Sequence, residues 1–413
     1  MKRDNVVTNG IYLRYIVCGL LFCVMVLPTG VFAGVPFKHL LYIGALAFLV
    51  AHWARGDIKI DSGLLLLFVG VLSFTFFFAL IGILNDNTSP SLAIKEASGI
   101  FTAGSIYVIV IASVRSGVMS GKDVIYWSFF GSGAFALWKV AAALLLATKV
   151  LPFDTVYYFL VDQAGYRIVS SGIFGGFVRI NLIICDFAVA FFLVLIIVGY
   201  KYLNFIPRWV QFAYLVLGGA CVIFAFSRLL FVLVSFGLVW SFVFNMKFKE
   251  RLFLVGLSLL VLIASSDWLA GAVEQRFNST SAVYSDLSRD IQIDALFDEL
   301  NNAPLVGNGF GSYSKSVIRD PLVPYSYEVQ WVGFLAKLGL IGTSILVSMM
   351  LWLFWQLLKT PIVNSDIALT VSLLAFVIGG FTNQYLASSA SGVIYCLHIL
   401  SKQLFHEKMD FNN

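Results

Sequence analysis

The stretch YSYEVQWVGFLAKLGLIG, residues 325–342, opens a long apolar segment that nevertheless carries two charged side chains. Glu328 stands where the apolar run begins, and Lys337 lies nine residues further along. The run continues to about residue 357, which is long enough to cross a hydrocarbon core about 30 Å thick as a helix. A charge at the bilayer centre costs at least about 2.5 kcal/mol, so charged residues in such a segment are functional candidates. The stretch therefore predicts a membrane span with a polar site at one end.

The composition of the whole chain is that of an integral membrane protein. Of its 413 residues, 60% are hydrophobic and 12% are charged, and the mean hydropathy is +0.92. The net charge of +5 does not indicate a nucleic-acid partner, because the basic residues stand at the ends of apolar segments and form no patch. We therefore expect a single all-α integral membrane domain over residues 1–413, in contact with a lipid bilayer.

The recurring apolar runs predict a polytopic protein with about twelve transmembrane helices. The predicted spans are 13–33, 38–54, 63–84, 97–114, 124–147, 181–200, 209–226, 228–245, 252–270, 328–357, 367–385 and 388–404. Only Ser227 and Arg228 separate the seventh span from the eighth, so this turn is the weakest point of the count.

The distribution of Lys and Arg predicts the orientation. If the N-terminus is cytoplasmic, the short loops on that side collect most of the basic residues, so both termini are expected in the cytoplasm. Two long connections, 149–180 and 271–327, then lie on the outer side, where function is expected. The second connection contains SDLSRDIQIDALFDEL, residues 285–300, in which Ile293, Leu296, Phe297 and Leu300 predict an amphipathic helix. Arg289 shares that apolar face and is expected to point toward the protein.

Four charged residues stand out in the predicted spans, and one of them, Arg228, opens the eighth span. Lys139, Asp186 and Lys337 lie about 12, 9 and 13 Å below the outer ends of their helices. This one-sided arrangement favours a cavity open to the outer face over the midplane site of a secondary transporter. The alternative is that Asp186 pairs with Lys139 or Lys337 only to hold helices together.

The arginines on the outer side favour an anionic ligand, because guanidinium groups bind diphosphate oxygens in a bidentate manner. These candidates are Arg167, Arg179, Arg228, Arg276 and Arg289. The alternative for each of them is a solvated side chain or a contact with lipid head groups.

No metal or cofactor is predicted. The glycines of PLVGNGFG, residues 304–311, lack the preceding strand and following helix of a nucleotide-binding loop, so they predict a turn with unusual backbone angles. None of the four histidines has a partner at metal-ligand spacing.

Four short sequence motifs are informative when they are taken together and in their order along the chain. They are FSRLLFVLVSFG at 226–237, SRDIQIDAL at 288–296, APLVGNGFG at 303–311 and KLGLIG at 337–342. Together they resemble the superfamily of O-antigen polymerases (Wzy type) and O-antigen ligases. The resemblance implies a GT-C-like, metal-independent glycosyltransferase of the bacterial inner membrane with its site facing the periplasm. It would join undecaprenyl-diphosphate-linked oligosaccharide units, and a chain-length regulator protein would be its partner.

The resemblance also implies roles for individual residues. Arg228, Arg289 and Arg276 would hold the diphosphate. Ligases typically carry a histidine about eleven residues before the glycine of the terminal Gly-x-x-Gly, and counting back from Gly339 gives Glu328 here. This departure favours a polymerase, with Glu328 as general base toward an acceptor hydroxyl and with inversion at the anomeric carbon. Lys337 is expected behind it as a charge partner, and sugar rings are expected against Tyr313, Tyr325 and Tyr327.

Three other functions stay open on the sequence alone. A ligase would transfer finished glycan to lipid A core, whereas a transporter or flippase would move the lipid-linked unit without forming a glycosidic bond. A purely structural subunit would explain neither the long arginine-bearing loops nor the charges within spans.

Overall fold

The computed structural model describes residues 2–27, 30–85, 88–163, 168–173, 177–180, 182–200, 202–225, 227–244, 280–321, 323–358 and 364–407. Over this part of the chain the helices are α1 Lys2–Val26, α2 Phe37–Ala54, α3 Ser62–Leu84, α4 Pro90–Arg115, α5 Gly121–Ala147, α6 Phe153–Tyr158, α7 Ile183–Gly199, α8 Arg208–Ala225, α9 Arg228–Phe244, α10 Thr280–Asn302, α11 Gln330–Leu358, α12 Asn364–Gly379 and α13 Ser389–Glu407. The predicted ninth span, 252–270, lies outside the described residues, as do Arg167 and Arg276.

The helices confirm the polytopic membrane character. In the described ranges, six helices are long and apolar enough to cross a bilayer: Phe37–Ala54, Ser62–Leu84, Pro90–Arg115, Gly121–Ala147, Arg208–Ala225 and Gln330–Leu358. Shorter apolar helices follow the predicted positions of other spans, and the chain does break between Ala225 and Arg228 as expected. The total of twelve spans stays a prediction.

The helix boundaries differ from the predicted spans where a polar cap lies outside the apolar run. The fourth span was expected from residue 97, but α4 begins at Pro90, where Ser89 accepts a hydrogen bond from the backbone N–H of Leu92. The first span was expected at 13–33, whereas α1 runs from Lys2 to Val26 and thus includes its polar N-terminal residues. Hydropathy locates apolar runs and is insensitive to such caps.

One element departs from the all-α prediction. Strands β1, Ile168–Ile173, and β2, Phe177–Ile180, form an antiparallel pair within the first long connection. Val169 lies opposite Arg179, and the register shifts between Val169 and Ile173. The β-branched residues of IVSSGI and FVRI suit an extended backbone, although the short irregular run gave no clear period from sequence.

The core of the bundle is formed by α4, α5, α7 and α13. Helix α7 is the most enclosed, with Phe187, Phe191 and Phe192 fully buried, and α13 packs against α4, α5 and α12. Helices α10 and α11 pack together beside this core through Leu296, Tyr327 and Ala336. This smaller contact sets the position of the loop that precedes α11.

Helix α11 is interrupted at Gly339, and the glycine-rich loop fills the interruption. The backbone N–H groups of Asn308 and Gly309 donate to the carbonyls of Ala336 and Lys337, at 3.2 and 2.8 Å. Those of Leu340 and Ile341 donate to Pro304 and Leu305, at 2.9 and 3.0 Å. The predicted turn is therefore a loop that supplies the hydrogen bonds that the broken helix loses.

The break depends on two glycines. Gly307 and Gly339 both adopt positive φ, +74° and +62°, and a Cβ on either would overlap the backbone of the other segment. Glycine alone combines this conformation with such a close approach of two backbones.

Candidate functional site

Glu328 lies between two arginines, just before α11 begins. The Nε of Arg289 donates to Oε2 of Glu328 at 2.9 Å, and Nη2 of Arg319 lies 2.7 Å from Oε1. Each carboxylate oxygen therefore has its own guanidinium partner. Such charge-assisted hydrogen bonds are stronger than neutral ones and fix the direction of the carboxylate.

A second carboxylate extends this arrangement. Asp286 lies 2.7 Å from Nη1 of Arg289 and 3.8 Å from Nη1 of Arg228. We call the five residues Arg228, Asp286, Arg289, Arg319 and Glu328 the arginine–carboxylate network. Their side chains are between 22% and 54% exposed, so solvent or a ligand reaches all of them. The three guanidinium groups exceed the two carboxylates by one positive charge, which favours an anionic ligand.

Helix α10 supplies the centre of the network. Asp286 and Arg289 lie on one face because they are three residues apart. One turn later, the buried side chain of Gln292 accepts a hydrogen bond from the backbone N–H of Glu328 at 2.9 Å. Leu296 then packs against Tyr327 and Val329. The prediction that Arg289 faces the protein is confirmed, whereas Phe297, expected on the same face, is exposed.

Lys337 does not accompany Glu328, so the predicted charge pair is wrong. Its ammonium group lies 2.6 Å from Oε1 of Glu96 in α4 and donates to the carbonyl of Tyr325 at 2.7 Å. The other oxygen of Glu96 accepts from the backbone N–H of Gly311 at 2.6 Å. Sequence analysis could not identify this partner, because Glu96 lies 241 residues from Lys337 in the chain. The pair joins α4, the glycine-rich loop and α11 behind the site.

The tyrosines before α11 serve mainly as packing. The ring centroids of Tyr325 and Tyr327 lie 5.3 and 5.5 Å from the Lys337 ammonium, a cation–π arrangement. Burial, and the charge of Glu96 beside it, raise the pKa of Tyr325 to about 12. Tyr327 is 2% exposed, and its hydroxyl accepts from the backbone N–H of Ser314 at 2.7 Å. Neither ring presents an open face to a sugar, contrary to expectation; Tyr313 is half-buried.

Lys139 and Asp186 form a separate, fully buried ion pair with 0% exposure on both sides and an N–O distance of 2.5 Å. Asp186 also accepts from the backbone N–H of Leu182 at 2.9 Å. The pair connects α5 to α7. This geometry is that of the structural alternative, in which the two charges hold helices together.

The remaining predicted arginines divide into two groups. Arg228 begins α9 and joins the network through Asp286. Arg179 lies in β2 opposite Val169.

Sequence reasoning missed several residues of the site and its surroundings. Arg319 belongs to the same outer connection as the other candidates and could have been found by the same signal, an arginine in a long loop. Gln292 and Glu96 gave no signal, because a glutamine in an amphipathic helix and a glutamate near a span boundary are common.

An apolar cavity lies along α11. It is lined by residues of α3, α4, α11 and α13 that include Ile100, Tyr107, Phe334, Met350 and Tyr395. Phe334 lies in the second turn of α11, six residues after Glu328. The cavity extends from there down α11 to Leu353.

No group of three metal-binding side chains comes together in the ranges that the structure describes. Neither protein-family models nor curated protein sequences give a match to this chain. The fold defines a polytopic helical membrane protein, and its most prominent polar site is the arginine–carboxylate network where α9 and α11 begin.

Proposed function

We propose that the protein is a membrane glycosyltransferase that joins undecaprenyl-diphosphate-linked oligosaccharide units into O-antigen or a related surface polysaccharide. The observation that carries the proposal is a carboxylate, Glu328, held between Arg289 and Arg319 just before α11, a helix that also lines an apolar cavity. A lipid diphosphate sugar has the three matching parts: an apolar chain, an anionic diphosphate and a reacting sugar carbon.

The reaction is a single displacement at the anomeric carbon of the donor. Glu328 accepts the proton of the acceptor hydroxyl while the hydroxyl oxygen forms the new bond to that carbon. The bond between the carbon and the diphosphate oxygen breaks, and the electron pair leaves with undecaprenyl diphosphate. Arg228, Arg289 and Arg319 stabilise the charge that develops on this leaving group. Because no covalent intermediate is formed, the configuration at the carbon inverts.

The glutamate at position 328 favours a polymerase over a ligase, given the resemblance to the O-antigen superfamily. The enzyme is proposed to lie in the bacterial inner membrane with both termini in the cytoplasm and the site facing the periplasm. Support comes from the position of Lys and Arg in the predicted loops. A chain-length regulator is a further proposed partner, on the resemblance alone.

The test is to incubate the purified protein with an undecaprenyl-diphosphate-linked repeat unit, without nucleotide sugar, and to resolve the products by length. We expect a ladder of oligomers with inverted linkages in the presence of a chelator. Glu328→Gln should abolish it, since a general base contributes about 10²- to 10⁴-fold in rate. Asp294→Asn is the matched control, because Asp294 is an exposed carboxylate of α10 outside the network.

Other outcomes separate the alternatives. Transfer to lipid A core without a ladder would identify a ligase. Movement of the lipid-linked unit across a vesicle bilayer, with no new glycosidic bond, would identify a transporter. A ladder whose linkages retain the donor configuration would contradict the single displacement.

A further inference from the structure

We propose that Asp286 and Glu328 are bound to the same arginines that bind the substrate diphosphate. Binding of the diphosphate then displaces Glu328 from these arginines and frees it to act as the base. This inference rests on the proposed function and adds a device to the same site. It explains why the carboxylate assigned to proton transfer is held by two arginines.

The hydrogen-bond geometry of Arg289 carries the first step. Its Nε donates to Glu328 at 2.9 Å and its Nη1 to Asp286 at 2.7 Å, so one guanidinium serves two carboxylates. Arg319 and Arg228 lie on the far sides of the same two carboxylates. The network is thus a row of alternating charges. A diphosphate that binds Arg289 in a bidentate manner must displace at least one of the two carboxylates.

The charge of the site gives the second step. The three arginines and two carboxylates leave one positive charge, whereas a diphosphate diester adds about two negative charges near neutral pH. With the diphosphate bound, the site holds more negative than positive charge. A carboxylate displaced from its arginines then gains by accepting a proton, which is the role that the proposed reaction gives to Glu328.

The exposure of the network makes the exchange feasible. All five side chains are at least 22% exposed, and ion pairs of this kind are weak enough for an incoming anion to replace. The Lys139–Asp186 pair provides the contrast within the same chain, since both of its side chains are 0% exposed. We therefore expect the diphosphate to displace carboxylates at the network and not at the Lys139–Asp186 pair.

Binding of inorganic pyrophosphate to the full-length protein in detergent, measured by calorimetry, tests the exchange. If the carboxylates compete with the anion, then Glu328→Gln and Asp286→Asn should each bind pyrophosphate about threefold to tenfold more tightly than the unmodified protein. Asp294→Asn, which removes one charge from the same helix outside the network, should stay within about twofold. Arg289→Ala should bind at least tenfold more weakly.

The ladder assay on the same variants separates the two roles of the carboxylates. Glu328→Gln should bind pyrophosphate more tightly and yet extend no chains, because it loses the base, whereas the control Asp294→Asn should extend chains as the unmodified protein does. Equal or weaker pyrophosphate binding by both carboxylate variants would overturn the exchange. So would an equal gain in Asp294→Asn, because the effect would then be one of general charge.

The two proposals fail in different ways. A ladder from the unmodified protein, combined with unchanged pyrophosphate binding by Glu328→Gln and Asp286→Asn, would leave the polymerase standing and reject the exchange. Tighter binding by both variants, with no ladder from competent substrate, would retain the exchange as a property of the anion site and reject the polymerase. A thermal-unfolding scan of each variant checks that the protein is folded.

Discussion

At the residue scale, the central observation is that charged side chains with similar sequence contexts have different roles. Glu328 and Glu96 each pair with basic residues, but Glu328 is half-buried between two arginines whereas Glu96 is largely enclosed against Lys337. The first environment is open to a ligand. The second is a fixed connection among α4, α11 and the loop before it.

Arg319 is expected to contribute to binding through its planar guanidinium. Arg319→Ala should weaken pyrophosphate binding about threefold to tenfold, because one of the three cations of the network is lost. Arg319→Lys should restore little of it, since an ammonium group cannot form the bidentate contact. The same calorimetric titration measures both variants. Full binding by Arg319→Ala would show that Arg319 only orients Glu328.

Lys337 is expected to act on stability. Lys337→Met leaves Glu96 enclosed without its cation, and removing one partner of a buried pair costs about 3 to 5 kcal/mol. The double variant Lys337→Met with Glu96→Gln should recover part of this loss, because no buried charge is left unpaired. Denaturant or thermal unfolding in detergent provides the measurement. A double variant no more stable than Lys337→Met would contradict the pairing.

At the element scale, α11 is the element whose shape is least expected from its composition. Its apolar run predicts a continuous helix, yet Gly339 has φ +62° and ψ −170°, and the chain segment 304–309 bonds to the backbone around the break. The broken helix holds the glycine-rich loop within the bundle. The broken helix therefore fixes the end of the glycine-rich loop from which the chain continues, through residues 312–327, to Glu328.

Gly339→Ala should destabilise this arrangement strongly. The new Cβ would overlap the backbone of Leu305, and alanine disfavours the positive φ, so we expect a loss of about 3 kcal/mol or more in unfolding free energy. Gly219→Ala is the matched control. Its Cβ would meet nothing within 4 Å in α8, so that change should be neutral or slightly stabilising. Thermal unfolding of both variants measures the two changes in stability. Equal destabilisation by Gly339→Ala and Gly219→Ala would contradict the structural role of the helix break at Gly339.

At the scale of the whole molecule, the two ends of α3 contact different parts of the protein. Asp61, which caps α3, pairs with Arg115 at the end of α4, and the other end of α3 meets the glycine-rich loop at Phe310. A helix of 23 residues is about 34 Å long, which is enough to place these ends on opposite sides of a bilayer. The predicted topology puts the Asp61 end in the cytoplasm.

Thiol labelling of intact cells tests that topology. Ile318→Cys, an exposed position beside Arg319, should react with a membrane-impermeant maleimide from the outside. Arg55→Cys, exposed just after α2, should react only after permeabilisation. Four of the five native cysteines are buried, which keeps the background low. The reverse labelling pattern would place the arginine–carboxylate network in the cytoplasm and contradict the proposed location of the enzyme.

The sequence by itself determined the membrane character, most helix positions and the arginine-rich connections, because hydropathy and helical period act over neighbouring residues. It also placed Arg289 on the inner face of its helix and singled out Glu328. Only the tertiary structure decided the partners: Glu96 for Lys337, Asp186 for Lys139, and Arg319 for Glu328. Ion pairs depend on distances across the bundle between segments far apart in the chain, and no local pattern encodes those distances.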